Sequence, residues 1–202
     1  MSVCIAIGHG KASDGTFDPG VIYDNLCEHK IAAEIGRYAA EYYNKNYAEK
    51  CDLINYSAEL FLTDRIKYIN DKNYDFVAEI HLNSGGGTGP EVYHSVLSDG
   101  RVAAAISSSI AEAFGFDDRF AKTKKTTSGS DYFAIIRGTR MPTVLVECLF
   151  IDNESDVRLI RSHAGRKHMG ETIARAIAES RGIRKRSFVE RGIERLNCLI
   201  KE

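Results

Sequence analysis

Three runs of apolar residues, each ending in a polar or glycine-rich turn, give the 202-residue chain its pattern. The first is Val3-Cys4-Ile5-Ala6-Ile7, which runs into Gly8-His9-Gly10. The second, Phe76-Val77-Ala78-Glu79-Ile80-His81-Leu82-Asn83, stops at Ser84-Gly85-Gly86-Gly87. The third extends from Met141 to Ile151 and holds a single acid, Glu147. Short β-branched runs bounded by glycine predict buried strands, and a strand apolar on both faces suits a parallel sheet covered on both sides. Residues two apart on a strand share a face, so Glu79, His81 and Asn83 point the same way.

Between these runs the apolar period changes from two to about 3.6. A helix of about twenty residues is predicted from Asp24, read as its N-cap, with Ile31, Ile35, Ala39 and Tyr42 as the inner stripe. Glu28 falls on that inward face at the first turn, whereas His29 is rotated off it and reads as surface. A strand over Cys51–Tyr56 and a helix over Leu60–Asp71, with Leu62, Ile66 and Ile69 inward, follow. Beyond the second run come a strand at Glu91–Leu97, whose Tyr93 or His94 borders the site, and an alanine- and serine-rich helix at Asp99–Phe114. Phe120–Ser130 reads as a polar, basic loop, and Tyr132–Arg137 as a short apolar turn. Asn153 caps a short helix with Asp156 completing a variant capping box; Ser162 opens a longer helix with Met169, Ile173 and Ile177 inward and Gly182 as its stop. His163 and His168 carry no partner signal. Val189, Ile193, Leu196 and Ile200 recur at helical spacing in the last twenty residues, too few for a second domain. The expected division is 1–183 as one α/β domain and 184–202 as a basic amphipathic tail.

Composition narrows the class. A hydrophobic content of 44% in 202 residues suits one domain with a substantial core, and a net charge of -1 argues against nucleic-acid binding. From Arg181 onward seven basic residues face three acidic ones, so the basic tail sits on a mildly acidic body. The five cysteines are odd in number, scattered and free of C-x-x-C pairs, so neither a disulfide framework nor a thiolate zinc site is indicated and a reducing compartment fits best. With a strand starting at Val3 and no long apolar run, the expectation is synthesis in the cytoplasm without a signal peptide and without membrane insertion.

Taken alone, His81 reads as a histidine satisfied by a neighbouring carbonyl. The other runs change that reading. His9 and His81 sit where buried strands emerge, the end at which open α/β sheets place ligands, and Glu28 starts a helix facing the same core. Two imidazoles and one carboxylate, with a fourth position open, form the donor set of catalytic zinc. Glu147 is costly inside so apolar a run unless paired or protonated; burial raises its pKa and suits it to shuttling a proton. Glu79, on the face of His81, reads as a partner that orients the imidazole.

With these residues in view, the chain resembles the zinc-dependent N-acetylmuramoyl-L-alanine amidases of bacterial autolysins and phage endolysins. Gly8-His9-Gly10, Asp18-Pro19-Gly20, Glu28 at a helix start, His81-Leu82-Asn83, and Pro142 to Glu147 followed by Phe150-Ile151-Asp152-Asn153 occur in family order over roughly Val3 to Ile183. The resemblance implies a six-stranded, mostly parallel mixed sheet flanked by helices, Zn2+ on His9, Glu28 and His81, and Glu147 as acid/base. The implied reaction is hydrolysis of the amide between the muramoyl lactyl group and L-alanine of peptidoglycan, causing wall lysis after phage-mediated release. Lys11 after the first glycine pair, Glu79 before the second histidine, and Thr63-Asp64-Arg65 depart from the family pattern. A zinc peptidase cutting inside the stem peptide and an inactive wall-binding module are the competing readings; the sequence is silent on oligomeric state.

Overall fold

The computed structural model describes residues 2–187 and 189–191. Strand β1 (Ser2–Ile7) is buried from Val3 to Ile7, and successive side chains feed two different cores. Val3, Ile5 and Ile7 join the larger cluster, while Cys4 and Ala6 join the smaller one on the opposite face. Two small hairpins follow, β2 (Gly10–Lys11) with β3 (Phe17–Asp18) and β4 (Ile22–Tyr23) with β5 (Leu26–Cys27). Helix α1 (Glu28–Asn46) then leads to β6 (Lys50–Ile54), α2 (Leu62–Lys72), β7 (Phe76–Asn83), β8 (Glu91–His94) and α3 (Arg101–Phe114). The remaining elements are β9 (Ala121–Lys122), α4 (Ala134–Gly138), β10 (Thr143–Phe150), α5 (Glu154–Ile160) and α6 (His163–Ser180).

Six strands form one sheet in the order β6-β1-β7-β10-β8-β9, parallel throughout except where β10 meets β8. The expected α/β fold with a six-stranded, mostly parallel mixed sheet is the one observed. Helices α1, α3 and α6 cover one face through the larger cluster, and α2 and α4 cover the other through Ile69, Ile135 and Ile136. Helix α6 lies against α1 so closely that a Cβ on Gly170 would meet the Ile35 carbonyl at 2.4 Å, so glycine sets the interhelical distance. From β1 the chain passes through α1 to β6 on one side, then through α2 to β7 on the other. The carboxyl ends of β1 and β7 therefore flank a topological switch point, where such sheets bind ligands.

Several local expectations change. Helix α1 begins at Glu28 rather than after Asp24. Asp24 and Asn25 both take positive φ, as the two-residue loop between β4 and β5 requires, and the Val21 and Pro19 carbonyls receive the first helical N–H groups of Glu28 and His29. His29 is buried, not on the surface, because the Gly8–Gly10 turn covers the start of α1. Part of the loop at 120–130 is strand β9, which pairs with β8 at the sheet edge. Asn153 caps α5 as expected, but Asp156 does not close a capping box: it accepts from the Thr88 hydroxyl and the Gly89 and Phe150 N–H groups. Ser162 caps α6, whose stripe Met169, Ile173 and Ile177 is fully buried, and Gly182 follows its end at φ +69°. Arg184 and Arg186 continue along the end of α1, where Ala48 N–H meets the Arg184 carbonyl and Arg186 N–H the Asn46 carbonyl. The tail positions Ile193, Leu196 and Ile200 lie outside the described residues. Among the described residues no helix is long and apolar enough to cross a membrane.

Candidate metal centre

Past the end of β1 the backbone turns back at His9, which takes φ +58°, a left-handed conformation that costs a non-glycine residue and needs outside support. The support is a pair of side chains. Asn55 Nδ2 donates to the Ile7 and His9 carbonyls at 2.8 Å each, and Arg65 Nη1 donates to the same two carbonyls at 3.0 Å. From the other face of the turn, His29 Nδ1 lies 2.7 Å from the Gly8 carbonyl. Gly8 itself leaves room for the second imidazole, since a Cβ there would stand 2.2 Å from the His81 ring. Gly20 does the same for the acid, with a Cβ reaching within 2.5 Å of Glu28 Oε2.

These constraints bring His9, Glu28 and His81 together, with one donor atom from each within 4.8 Å of the others. Glu28 Oε1 lies 3.2 Å from His9 Nε2 and 3.0 Å from His81 Nδ1. The carboxylate is anchored by backbone: Val21 N–H donates to Oε2 at 2.9 Å and Leu82 N–H to Oε1 at 3.1 Å. Each imidazole is held at its outer nitrogen by a second acid, His9 Nδ1 by Asp18 Oδ2 at 3.0 Å and His81 Nε2 by Glu79 Oε2 at 3.1 Å. Asp18 is fixed in turn by Gly20 N–H, and Glu79 by a buried ion pair with Arg65 at 2.9 Å.

Electrostatically the cluster is built for a cation. Burial works against charge on His81, but Glu28 and Glu79 outweigh it and lift its pKa to about 10. His9 is raised too, burial being overcome by Glu28 and Asp18. Burial opposes ionisation of Glu28, yet the two imidazoles hold it well below the usual carboxylate range. Three converging donors, the imidazoles fixed at their outer nitrogens by acids and the buried carboxylate by backbone N–H groups, are the arrangement expected of a metal site with a supporting shell. A divalent ion would displace the imidazole protons, so occupancy rises with pH.

Glu147 lies directly across from His81 in the β7–β10 ladder, on the face shared by Glu79 and His81. Its Oε2 is buried without a hydrogen-bond partner. Burial lifts its pKa to about 7; the His81 imidazole opposes this and Glu28 and Glu91 reinforce it. Between pH ~4.5 and ~7 the folded metal-free protein therefore keeps a proton that the unfolded chain has lost, and stability falls as pH rises through that window. Glu147→Gln removes the proton linkage. Thermal unfolding in chelator should show the melting temperature of the variant gaining on wild type from pH 5 to pH 7.5; a constant gap would place Glu147 in a solvated environment.

Next to Glu147 in the ladder is Glu91, also buried and missed by sequence reasoning. Despite burial, Lys122, Arg119 at 2.8 Å and the Tyr93 hydroxyl at 2.8 Å bring its pKa down to about 2. Asn83 Nδ2 also donates to it at 2.9 Å, which ties the end of β7 to β8. Tyr93 thus borders the site, whereas His94 lines a separate cavity with Phe76 and Thr143 at the start of β10. His163 pairs with Glu34, and His168 packs on Phe114, both away from the cluster. Asn55 carried no signal in the sequence, and Asp18 and Arg65 entered only as parts of the family pattern, without a role.

Residues 3–179 match the family described as N-acetylmuramoyl-L-alanine amidase. A sporulation-specific N-acetylmuramoyl-L-alanine amidase of Bacillus subtilis (strain 168) is 27% identical over 192 residues, 93% of this chain and 71% of that protein. An endolysin of Bacillus phage SPP1 is 27% identical over 87% of this chain and 66% of its own length. Among solved structures, Cwp6 from Clostridium difficile superposes with a TM-score of 0.80 at 26% identity, covering 89% of this chain but 29% of that one. With most of its length matched, this chain belongs to the N-acetylmuramoyl-L-alanine amidase family.

Proposed function

We propose that the chain is a zinc-dependent amidase that cleaves the bond between the muramoyl lactyl group and L-alanine of peptidoglycan, with residues 1–183 as the catalytic unit and 184–202 as an appended basic tail. The observation that carries this reading is the convergence of His9 Nε2, Glu28 Oε1 and His81 Nδ1 at the switch point of the sheet, beside a buried acid with a free oxygen. Zinc held by these three residues would supply a Lewis acid for the scissile carbonyl and an acidified water at neutral pH. The chain's own residues do the rest. Asp18 and Glu79 keep the outer imidazole nitrogens occupied, which leaves His9 Nε2 and His81 Nδ1 as the atoms that would hold the ion. Glu147, with a pKa near neutrality, accepts a proton from the attacking water at its carboxylate and delivers it to the departing L-alanine nitrogen. Like the phage endolysin it resembles, the protein would act on the cell wall.

Mass analysis of digested walls tests the bond assignment. New free L-alanine amino termini are expected; fragments cut inside the stem peptide would favour a peptidase instead. The supporting acids make a separate prediction. Asp18→Ala should weaken zinc binding about 10- to 100-fold, read by competition with a chelating dye, because His9 loses the partner that fixes its ring. Unchanged affinity would remove Asp18 from the supporting shell.

A further inference from the structure

Beside the donor cluster, towards α2 and α4, lies a cavity of about 400 Å³ into which His9 and His81 open. Phe61, Phe133 and Leu145 give it an apolar wall. Four other charged side chains line it, and three have partners. Asp18 is engaged by His9 and the Gly20 N–H, while Arg65 and Glu79 neutralise each other. Lys11, half-buried at the rim on β2, forms no ion pair among the described residues. An ammonium beside an apolar wall and without a counter-ion is a receptor for an anion, and charge-assisted contacts are the stronger class of hydrogen bond.

We propose that this cavity receives the peptide side of the scissile amide and that Lys11 binds a carboxylate on the residue following L-alanine. The assignment rests on the amidase reading and deepens it by naming what the site selects. The peptide stem carries carboxylates, whereas the glycan side offers neutral hydroxyl and acetamido groups, so Lys11, the cation of this cavity without an ion pair among the described residues, matches the leaving peptide. Losing a hydrogen bond to a charged group changes recognition by about ten- to a hundredfold. The apolar wall fits the aliphatic part of the same residue and limits water around the ion pair.

The test uses the full zinc-loaded chain and two disaccharide-linked pentapeptides that are identical except at the residue after L-alanine. One carries a free α-carboxylate there and the other an α-carboxamide. Wild type should cleave the carboxylate form with kcat/KM at least about tenfold higher, the difference lying in KM. Lys11→Gln should bring the ratio of the two substrates close to one, and Lys11→Arg should restore the preference. A wild-type ratio near one, or a preference that survives Lys11→Gln, overturns the subsite while leaving the amidase reading intact. Failure of wild type to cut the lactyl amide of either substrate removes the amidase reading and the subsite together.

Discussion

Glu147→Gln should reduce wall hydrolysis by about 10²- to 10⁴-fold while the protein keeps its full complement of zinc. The substitution preserves volume and polarity in β10, next to a register shift between Glu147 and Phe150, so the strand has no reason to repack. What disappears is a group able to hold and release a proton. Glu147 is placed for that task by three features. It faces His81 across the ladder, one of its oxygens has no partner, and burial brings its pKa to about 7, where either protonation state is accessible. None of these contributes to holding the ion, so metal content and activity should separate in this variant. Turbidity loss of purified walls gives the rate and elemental analysis the metal. Normal lysis by Glu147→Gln would show that the acid/base group lies elsewhere.

The second large effect concerns Glu28, and here metal and activity should fall together. Glu28→Gln keeps the shape but leaves an acceptor oxygen for only one of the Val21 and Leu82 N–H groups, which donate to different carboxylate oxygens, and it removes the negative charge lying between two imidazoles. Wild type in zinc at about a thousand times its Kd should gain about 4 kcal/mol, which for a chain of this size is a rise of about 10 °C in Tm. In Glu28→Gln that zinc-dependent rise should nearly vanish, and lysis should drop below detection. Glu28→Gln in chelator should still unfold cooperatively, at a lower temperature than chelated wild type because the imidazoles lose their charged partner, which separates metal loss from misfolding. A variant that still gains about 10 °C on adding zinc would exclude Glu28 as a ligand.

Much of this geometry was written in local pattern. The strands ending near His9 and His81 were visible as glycine-bounded apolar runs, and the stripe of Ile31, Ile35 and Ala39 placed Glu28 on the inward face of its helix. The errors have physical causes. Asp24 resembles an N-cap, but a hairpin at positive φ precedes the helix and backbone carbonyls do the capping. His29 falls off the helical stripe and is nonetheless buried, because a turn from a distant strand lies over it, something periodicity within one helix cannot reveal. Strand β9 has two residues, too short to show alternation. The Arg65–Glu79 pair and the Glu91 cluster join residues from different elements, so their partners appear only when the sheet is assembled. Glu79 was legible as a partner of His81 because both lie on one strand, two residues apart.

Every role assigned above depends on an ion held by His9, Glu28 and His81. Elemental analysis of the purified wild-type chain, paired with wall lysis before and after chelation, addresses that dependence directly. About one zinc per chain is expected, with loss of lysis when the zinc is removed and recovery when it is returned. Undiminished lysis by a chain shown to be free of metal would contradict that dependence.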